Sequence, residues 1–410
     1  MQHENERSIV VIGAGQAGFS CCAKLRSLGH VGAITLVGDE GELPYQRPPL
    51  SKAYMLGKLA KERLYLRQPE FYDDENITLR LDTGAKAIDR AARQVTLNDG
   101  EILNYDLLVL ATGARPITLN EQMGGALRGV HYMRNIADAD RLAHQMMSGR
   151  SIVVVGGGYI GLEAAAVASE SGMQVTLIEA ADRILQRVAA QETSSHFRDL
   201  HRAHGIEIRE GAKLDQLSGA DGAVATAELS DGSQIATDLV LVGIGVRPNI
   251  DLATDAGLDI ENGIRVDEYC RTSDPYIFAV GDCASFPHGA DRIRLESVGN
   301  AIEQAEAAAR VIVEGSMPYE AKPWFWSDQF DVKLQIAGLS TGYDQVVKRQ
   351  LSEKVVSFWY FAGAQLLAVD AANDPRAYMV AKRLIDAGGT VQSSLVADPD
   401  FDLKTLVKRA

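Results

Sequence analysis

Cysteine is scarce in this 410-residue chain, and its four copies, Cys21, Cys22, Cys270 and Cys283, form no C-x-x-C pair. That pattern excludes a disulfide framework, a zinc knuckle and an iron–sulfur cluster held by the chain itself, so no metal site is expected. Basic residues are also in deficit: 41 Lys and Arg stand against 55 Asp and Glu, a formal net charge of −14. A broad basic footprint is missing, and no nucleic-acid partner is expected. Nor is there a long unbroken apolar run near the start. Residues 9–22 are interrupted by three glycines and a glutamine, and they follow a charged, acid-containing stretch at 3–7. A signal peptide or membrane span wants an uninterrupted run behind a basic region, so the expectation is a soluble cytoplasmic protein with no membrane contact. With 46% hydrophobic and 23% charged residues the chain can still bury several cores. Its length suits roughly two to three domains.

What is present is a repeated plan. Residues 8–18 run from a β-branched stretch into Gly13-Ala14-Gly15-Gln16-Ala17-Gly18, then a helical run to Leu28 and a second strand at 33–37. Residues 151–161 repeat this with Gly156-Gly157-Gly158-Tyr159-Ile160-Gly161, a helical run to Ser171 and a strand at 174–179. Each is a buried strand, a tight glycine turn, a helix and a second parallel strand, the βαβ unit that binds a dinucleotide. One G-x-G-x-x-G means little. Two, each set between a β-branched run and a helix, are specific. Residues 97–116 also align without a gap on 229–248. Both copies read as a hairpin with an Asp-Gly turn, an Asp (Asp106, Asp238), a buried four-residue strand, and a glycine exit (Gly113, Gly245) to Arg-Pro. Two nucleotide-binding domains of related design follow, and two dinucleotides in one chain imply electron traffic between them.

The expected fold class is therefore α/β, with two Rossmann-like dinucleotide-binding domains plus a C-terminal α+β domain. The last is inferred from Trp324, Phe325, Trp326, Phe330, Trp359, Tyr360 and Phe361, from apolar runs at 334–339 and 355–361, and from a helix near 377–387. Expected boundaries are 1–115 with 248–318 for the first nucleotide domain, 116–247 for the second and 319–410 for the third. The tail beyond Gly388 is Ser/Asp-rich, and its pattern does not determine a structure.

Each glycine has a task. Gly13 makes the first turn, Gly15 lets the backbone approach a pyrophosphate, and Gly18 lets the helix pack on the strand. The amides around Gly15 to Ala17 then face phosphate at a helix N-terminus. Gly156, Gly158 and Gly161 are the counterparts. Glu179, at the end of the strand after the second turn, is placed to receive two ribose hydroxyls and to repel a 2′-phosphate, favouring NAD over NADP. Arg183 and Arg187 either soften that preference or lie on a helix surface. In the first copy Gly38 aligns with Glu179, and Asp39 follows it; Asp39 reads as the ribose contact or as a loop cap. Glu163 stands one turn into the second helix, where a buried lone carboxylate needs a partner or a proton.

The paired fingerprints, with Ala111-Thr112-Gly113, Thr272-Ser273-Asp274-Pro275 and Ala279-Val280-Gly281-Asp282-Cys283-Ala284, resemble the two-dinucleotide flavoproteins typified by glutathione reductase. Arg47-Pro48-Pro49-Leu50-Ser51-Lys52, the stretch 296–305 and Trp324 to Gln329 narrow the resemblance. They are similar to the FAD-dependent NADH:ferredoxin reductases of bacterial cytochrome P450 and ring-hydroxylating oxygenase systems. This resemblance implies noncovalent FAD on the first glycine turn and NADH on the second. Matched by motif, Asp282 accepts the ribityl hydroxyls of FAD, with Gly281 allowing close backbone approach, and Lys52 lies near the flavin ring. Ala17, Asp39, Ala85, Thr112, Gly113, Arg134, Val298 and Trp326 fall at further FAD positions; Tyr159, Ile160, Glu163, Glu179 and Gly245 fall at NADH positions, and Glu296 falls at a cofactor-binding position. Arg134 alone would read as a surface salt bridge, and Trp324 and Trp326 as domain-interface filler. Lys52 and Glu163 are expected to form an ion pair across the two cofactors, against the alternative that loop lysine and helix glutamate never meet.

The acceptor is inferred from an absence. Disulfide reductases of this superfamily carry a redox cysteine pair early in the FAD domain, yet residues 43–56 hold no cysteine. Cys21 and Cys22 are adjacent on a helix, where neighbouring side chains diverge. Electrons would then leave through the flavin, one at a time, to a separate [2Fe-2S] ferredoxin that feeds a cytochrome P450 or oxygenase. A rubredoxin reductase, an NADH oxidase and a flavin redox sensor are the rival readings. The net negative charge would make docking depend on local Lys/Arg clusters or on apolar contact.

Overall fold

The computed structural model describes residues 6–315 and 317–407. Most of the charged start at 3–7 lies outside the described residues. The chain packs as two compact units. Met1–Arg47, Ala60–Arg115 and Val246–Pro323 form the first; Pro48–Leu59, Pro116–Gly245 and Trp324–Ala410 form the second.

The first unit is built on a five-stranded parallel sheet in the order Ile277–Ala279, Leu107–Leu110, Ile9–Ile12, Ile34–Val37, Ile77–Arg80. Its central strands, IVVI and LLVL, are buried at every position. Continuous apolar runs of this kind suit parallel strands covered on both faces. Helix Gln16–Ser27 leaves the glycine turn and packs with helix Val298–Glu314 through Ala17, Ala301, Ala305 and Ala308, which belong to one buried cluster. Small side chains let the two helices approach closely. A three-stranded antiparallel sheet, Ala85–Asp89, Gln94–Leu97 and Ile102–Asn104, carries the first hairpin.

The second unit repeats the sheet. Its parallel order is Glu207–Glu210, Gln174–Glu179, Ser151–Val155, Leu239–Val242, Val130–His131. Leu214–Ala220, Ala223–Leu229 and Gln234–Ala236 form the matching antiparallel sheet. The aromatic-rich C-terminal region forms a five-stranded antiparallel sheet in the order Trp324–Gln329, Val332–Gly338, Gln365–Ala372, Val356–Ala362, Gln345–Gln350. Phe358 and Tyr360 of this sheet share one core cluster with Leu162 and Phe197 from the glycine-turn half. That common core makes the two halves a single compact body.

The helix expected near 377–387 runs Pro375–Asp386, with proline at its first turn and Asp374 accepting from the Ala377 amide at 2.9 Å. The tail, which the sequence left undetermined, carries two short helices, Ser393–Ala397 and Lys404–Val407. The buried Arg349 guanidinium organises it by donating to the carbonyls of Val396, Asp398, Pro399 and Phe401. Among the described residues no helix is long and apolar enough to cross a membrane.

Candidate functional site

In the first unit the strand Ile9–Ile12 ends at Gly13, whose φ of 112° is a conformation open to glycine. A Cβ there would lie 2.1 Å from the Ala111 carbonyl oxygen, and one on Gly18 would lie 1.9 Å from that of Gly13. Gly13 and Ala111-Thr112 are thus in contact, as a turn pressed against the neighbouring strand. Gly15 differs. The nearest atom to a Cβ at that position is Arg47 Nη2 at 4.0 Å, so protein packing does not demand a glycine. Open space at the N-terminus of a buried helix, kept clear of any side chain, fits a pyrophosphate approaching the backbone.

Gly281 completes this cradle with φ 77° and its Cβ position 3.0 Å from Ala17. Its amide donates to Gln304 Oε1 at 2.8 Å, which fixes the turn bearing Asp282. Arg47 reaches Glu40 and Tyr45 and feels the Asp282 charge. Thr112 donates to the Asn249 carbonyl at 2.7 Å, and Asn249 returns a bond to the Thr112 carbonyl at 2.8 Å, tying down the exit of the strand that leads to Gly113. Glu296 accepts from Arg294 at 2.6 Å, and Val298 opens the helix Val298–Glu314. Asp39 is exposed, with its Cβ near Gly84, the neighbour of Ala85. The adjacent Glu40, not Asp39, is the acid engaged by Arg47 and Tyr45.

The second unit repeats the turn with a change in chemistry. Gly156 has φ 108° and a Cβ position 2.4 Å from the Gly243 carbonyl oxygen; Gly161 would meet that of Gly156 at 2.0 Å. Around Gly158 no atom lies within 4 Å of a Cβ, again an open cradle. Glu179 accepts from the amides of Gly157 and Ala181, each at 2.7 Å, so its carboxylate is held at the rim of the turn. Arg183 is turned into the protein, bonded to Ser194 and the Ala190 carbonyl, while Arg187 is exposed. Gly245, at φ 114°, lies near Ile117, and Ile160 is exposed on the helix that Tyr159 begins.

Lys52 and Glu163 meet. The Lys52 ammonium lies 3.2 Å from Glu163 Oε1 and 3.3 Å from Asp328 Oδ2, with the Trp326 ring centroid 5.7 Å away. The Pro48–Ser51 turn supplies Ser51 and leads into Lys52, helix Tyr159–Glu170 supplies Glu163, and strand Trp324–Gln329 supplies the rest. Glu163 is 5% exposed, and it accepts from Ser327 Oγ at 2.7 Å and from Ser51 Oγ at 2.8 Å. Burial raises its carboxyl above the ordinary range, and Lys52 and the two serines oppose that by favouring the anion. Ser51, Ser327 and Asp328 touch the Lys52–Glu163 pair, Gln304 holds the Gly281 turn and Gly157 donates to Glu179; the sequence reading gave none of them a role. Ser51 and the Ser327-Asp328 pair stood inside recognised motifs, but nothing local showed what they touch. Arg134 is set apart from this group: its amide caps toward Asp138 at 3.0 Å, just before helix Ile136–Ala143.

Two open glycine cradles on parallel sheets, with a buried glutamate on the helix of the second paired to a lysine, define a two-dinucleotide oxidoreductase. The chain belongs to the pyridine nucleotide-disulphide oxidoreductase family, whose model matches residues 7–309; a reductase C-terminal model matches 324–407. It is 45% identical to rhodocoxin reductase of Rhodococcus erythropolis over 405 residues, covering 98% of this chain and 95% of the relative. Identity to putidaredoxin reductase of Pseudomonas putida is 43% over 411 residues, covering 98% and 97%. The solved covalent putidaredoxin reductase–putidaredoxin complex matches with a TM-score of 0.94 at 42% identity, covering 98% of this chain and 99% of that one.

Proposed function

We propose that this chain is an FAD-containing NADH:ferredoxin oxidoreductase that hands electrons, one at a time, to a separate [2Fe-2S] ferredoxin serving a cytochrome P450 or ring-hydroxylating oxygenase. The observation that carries the reading is the pair of open cradles at Gly15 and Gly158, combined with cysteines that cannot act as a relay. All four are buried, and burial pushes the Cys21 thiol up to about 12, far from a reactive thiolate. The names of the relatives support the same choice of partner.

On this reading residues 1–115 with 248–318 bind FAD, 116–247 bind NADH, and 319–410 form the third domain of a cytoplasmic enzyme. Bound FAD supplies the conversion of a two-electron donor's charge into single-electron delivery. The chain's own contribution is alignment and charge. Amides of residues 15–17 and the turn glycines Gly13 and Gly18 hold one pyrophosphate, and Asp282 beside Gly281 takes the ribityl hydroxyls. Asp39, Ala85, Thr112, Gly113, Arg134 and Val298 line the rest of the FAD site, and Glu296 is a further cofactor-binding residue. Gly156, Gly158, Gly161 and Gly245 hold the nicotinamide nucleotide, with Tyr159 and Ile160 beside it, and Glu179 takes its ribose and disfavours a 2′-phosphate. Glu163, whose anionic form Lys52, Ser327 and Ser51 favour against burial, anchors the Lys52 ammonium beside Trp326, so that a positive charge is presented where negative charge accumulates. No side chain acts as a nucleophile.

The test is NADH-driven reduction of a panel of purified [2Fe-2S] ferredoxins and rubredoxins, followed optically. A ferredoxin should turn over fastest, with the rate unaffected when thiols are alkylated. Reduction of rubredoxins alone would reassign the acceptor, and loss of turnover on alkylation would overturn the relay-free route.

A further inference from the structure

The roles above leave a deeply buried acid of the C-terminal sheet unused. Asp370, on the C-terminal strand Gln365–Ala372, is 2% exposed, and Tyr360 and Thr193 beside it are wholly buried. Its Oδ2 accepts from Thr193 Oγ1 at 2.8 Å and from the Tyr360 hydroxyl. That same hydroxyl accepts from the Ala190 amide at 3.0 Å. The carboxylate therefore clamps the start of helix Gln191–Ala203, holding both its cap residue and its first turn against the sheet.

The clamped segment leads straight to the second glycine turn. The Ala189 amide donates to the Leu185 carbonyl at 2.9 Å, and the Leu185 amide donates to the Gly157 carbonyl at 2.9 Å. Leu185 has φ 55°, a left-handed conformation that a branched side chain adopts only when its surroundings force it. Tyr159, the residue after Gly158, adds a second sign of coupling. Its hydroxyl is buried without a hydrogen-bond partner, and Asp370 and Tyr360 are the ionisable groups that act on it. A buried hydroxyl left unpaired is unfavourable, so the turn is held in place at a cost.

We propose that Asp370 is a positioning residue for the pyridine-nucleotide site: through Tyr360 and Thr193 it fixes residues 185–190, and with them the Gly156–Gly158 turn and Tyr159, in the arrangement that binds NADH. This rests on the second turn being the NADH site. The anionic carboxylate accepts both hydroxyl protons at once. A proton on Asp370 removes its charge, and the two hydroxyls then donate to a neutral acid, a weaker acceptor that holds the clamp less firmly. Burial pushes this carboxyl up to about 6, with the Tyr360 and Thr193 hydroxyls opposing. The titratable groups facing it are Tyr360 on the adjacent strand and Tyr159 on the helix; His196, on helix Gln191–Ala203, has Lys348 and Asp199 as its charged neighbours. Among the described residues no other ionisable group acts on Asp370.

The experiment uses the FAD-loaded enzyme with ferricyanide as electron sink, and reads KM for NADH and kcat across the acid range. In the wild type KM should rise about fivefold as pH falls through the Asp370 titration, with kcat changing less. Asp370→Asn, a neutral acid mimic, should show the raised KM at neutral pH and a flat profile. Thr193→Val removes one donor to the anion and should move the midpoint to higher pH. An Asp370→Asn enzyme with the wild-type KM and the wild-type profile overturns the proposal. If that variant does not fold, an unmoved midpoint in Thr193→Val overturns it instead. Failure of the wild type to oxidise NADH at any pH is a separate result, which removes the NADH reading and this role with it.

Discussion

Ser20 and Glu163 occupy the same place in the two glycine-turn units, two residues past the glycine that lets each helix touch its strand. Both are buried, and the turns that precede them are near copies: φ 112° at Gly13 against 108° at Gly156, with the later glycine pressed on a carbonyl oxygen in each. Even the base of each sheet repeats. Asp106 accepts from the Ser8 amide at 2.7 Å and hydroxyl at 2.8 Å, and Asp238 from the Ser151 amide at 2.8 Å and hydroxyl at 2.9 Å. Against that sameness the helix interior carries a hydroxyl in one copy and a carboxyl facing an ammonium in the other. Ser20 needs little more than Gln16, whose amide donates to it at 3.2 Å. Glu163 needs a lysine and two serines drawn from two distant segments. The duplicated frame binds; the unduplicated charge is where the two halves take different roles.

The comparison breaks hardest at the glycines. Gly18→Ala should yield a colourless protein lacking FAD, while Gly161→Ala should keep its flavin absorbance yet fail to be reduced by NADH. In each case the added methyl would overlap a backbone carbonyl oxygen that cannot move without opening the turn. Visible spectra before and after NADH distinguish the two, and a shared phenotype would mean the cradles are not separately loaded.

Next in size is the exchange of charge. Glu163→Gln should slow flavin reduction by NADH about a hundredfold in stopped flow with FAD retained, since it removes the anchor of Lys52. Ser20→Glu, the reciprocal change, puts an unpaired carboxylate into the first helix and should cost about 3–5 kcal/mol in chemical denaturation. A Ser20→Glu protein of unchanged stability would show that the first helix can accommodate a charge after all.

The smallest effect concerns the serine-clamped acids. Their bonds hold Asp106 and Asp238 below the ordinary carboxylate range. A depressed native pKa gives stability that is complete above the unfolded value near about 4 and is lost as pH falls through the native one. Asp106→Asn, the more buried case, should cost about 1–2 kcal/mol at neutral pH, and Asp238→Asn less, since solvent screens it. Both deficits should shrink in acid; a deficit constant with pH would assign the loss to packing.

Much of the frame was legible because its causes are local. A β-branched run, a positive-φ glycine and a helix with small residues are fixed by neighbours within ten or so positions, so the two βαβ units and the hairpins stood out. The Lys52–Glu163 pair was reachable by asking what a buried carboxylate requires. Its serines were not, because Ser327 is distant in sequence from the acid it serves and a serine carries no signature of its partner. Asp39 and Glu40 both stand exposed after their strand, and only the packed structure shows that Glu40 is the acid Tyr45 and Arg47 engage. The tail was opaque for a similar reason, since the residue that orders it, Arg349, lies on a strand of the sheet.

The amino-acid string alone determined that this protein has two dinucleotide cradles and no cysteine at residues 43–56, because glycine spacing and cysteine position act over a single turn of chain. Only the tertiary structure decided that the C-terminal sheet and the second cradle share a core, and so bring Ser327, Asp328, Tyr360 and Asp370 to the helix and loop that follow Gly158. Burial and charge compensation are properties of packed surfaces, which local sequence pattern does not record.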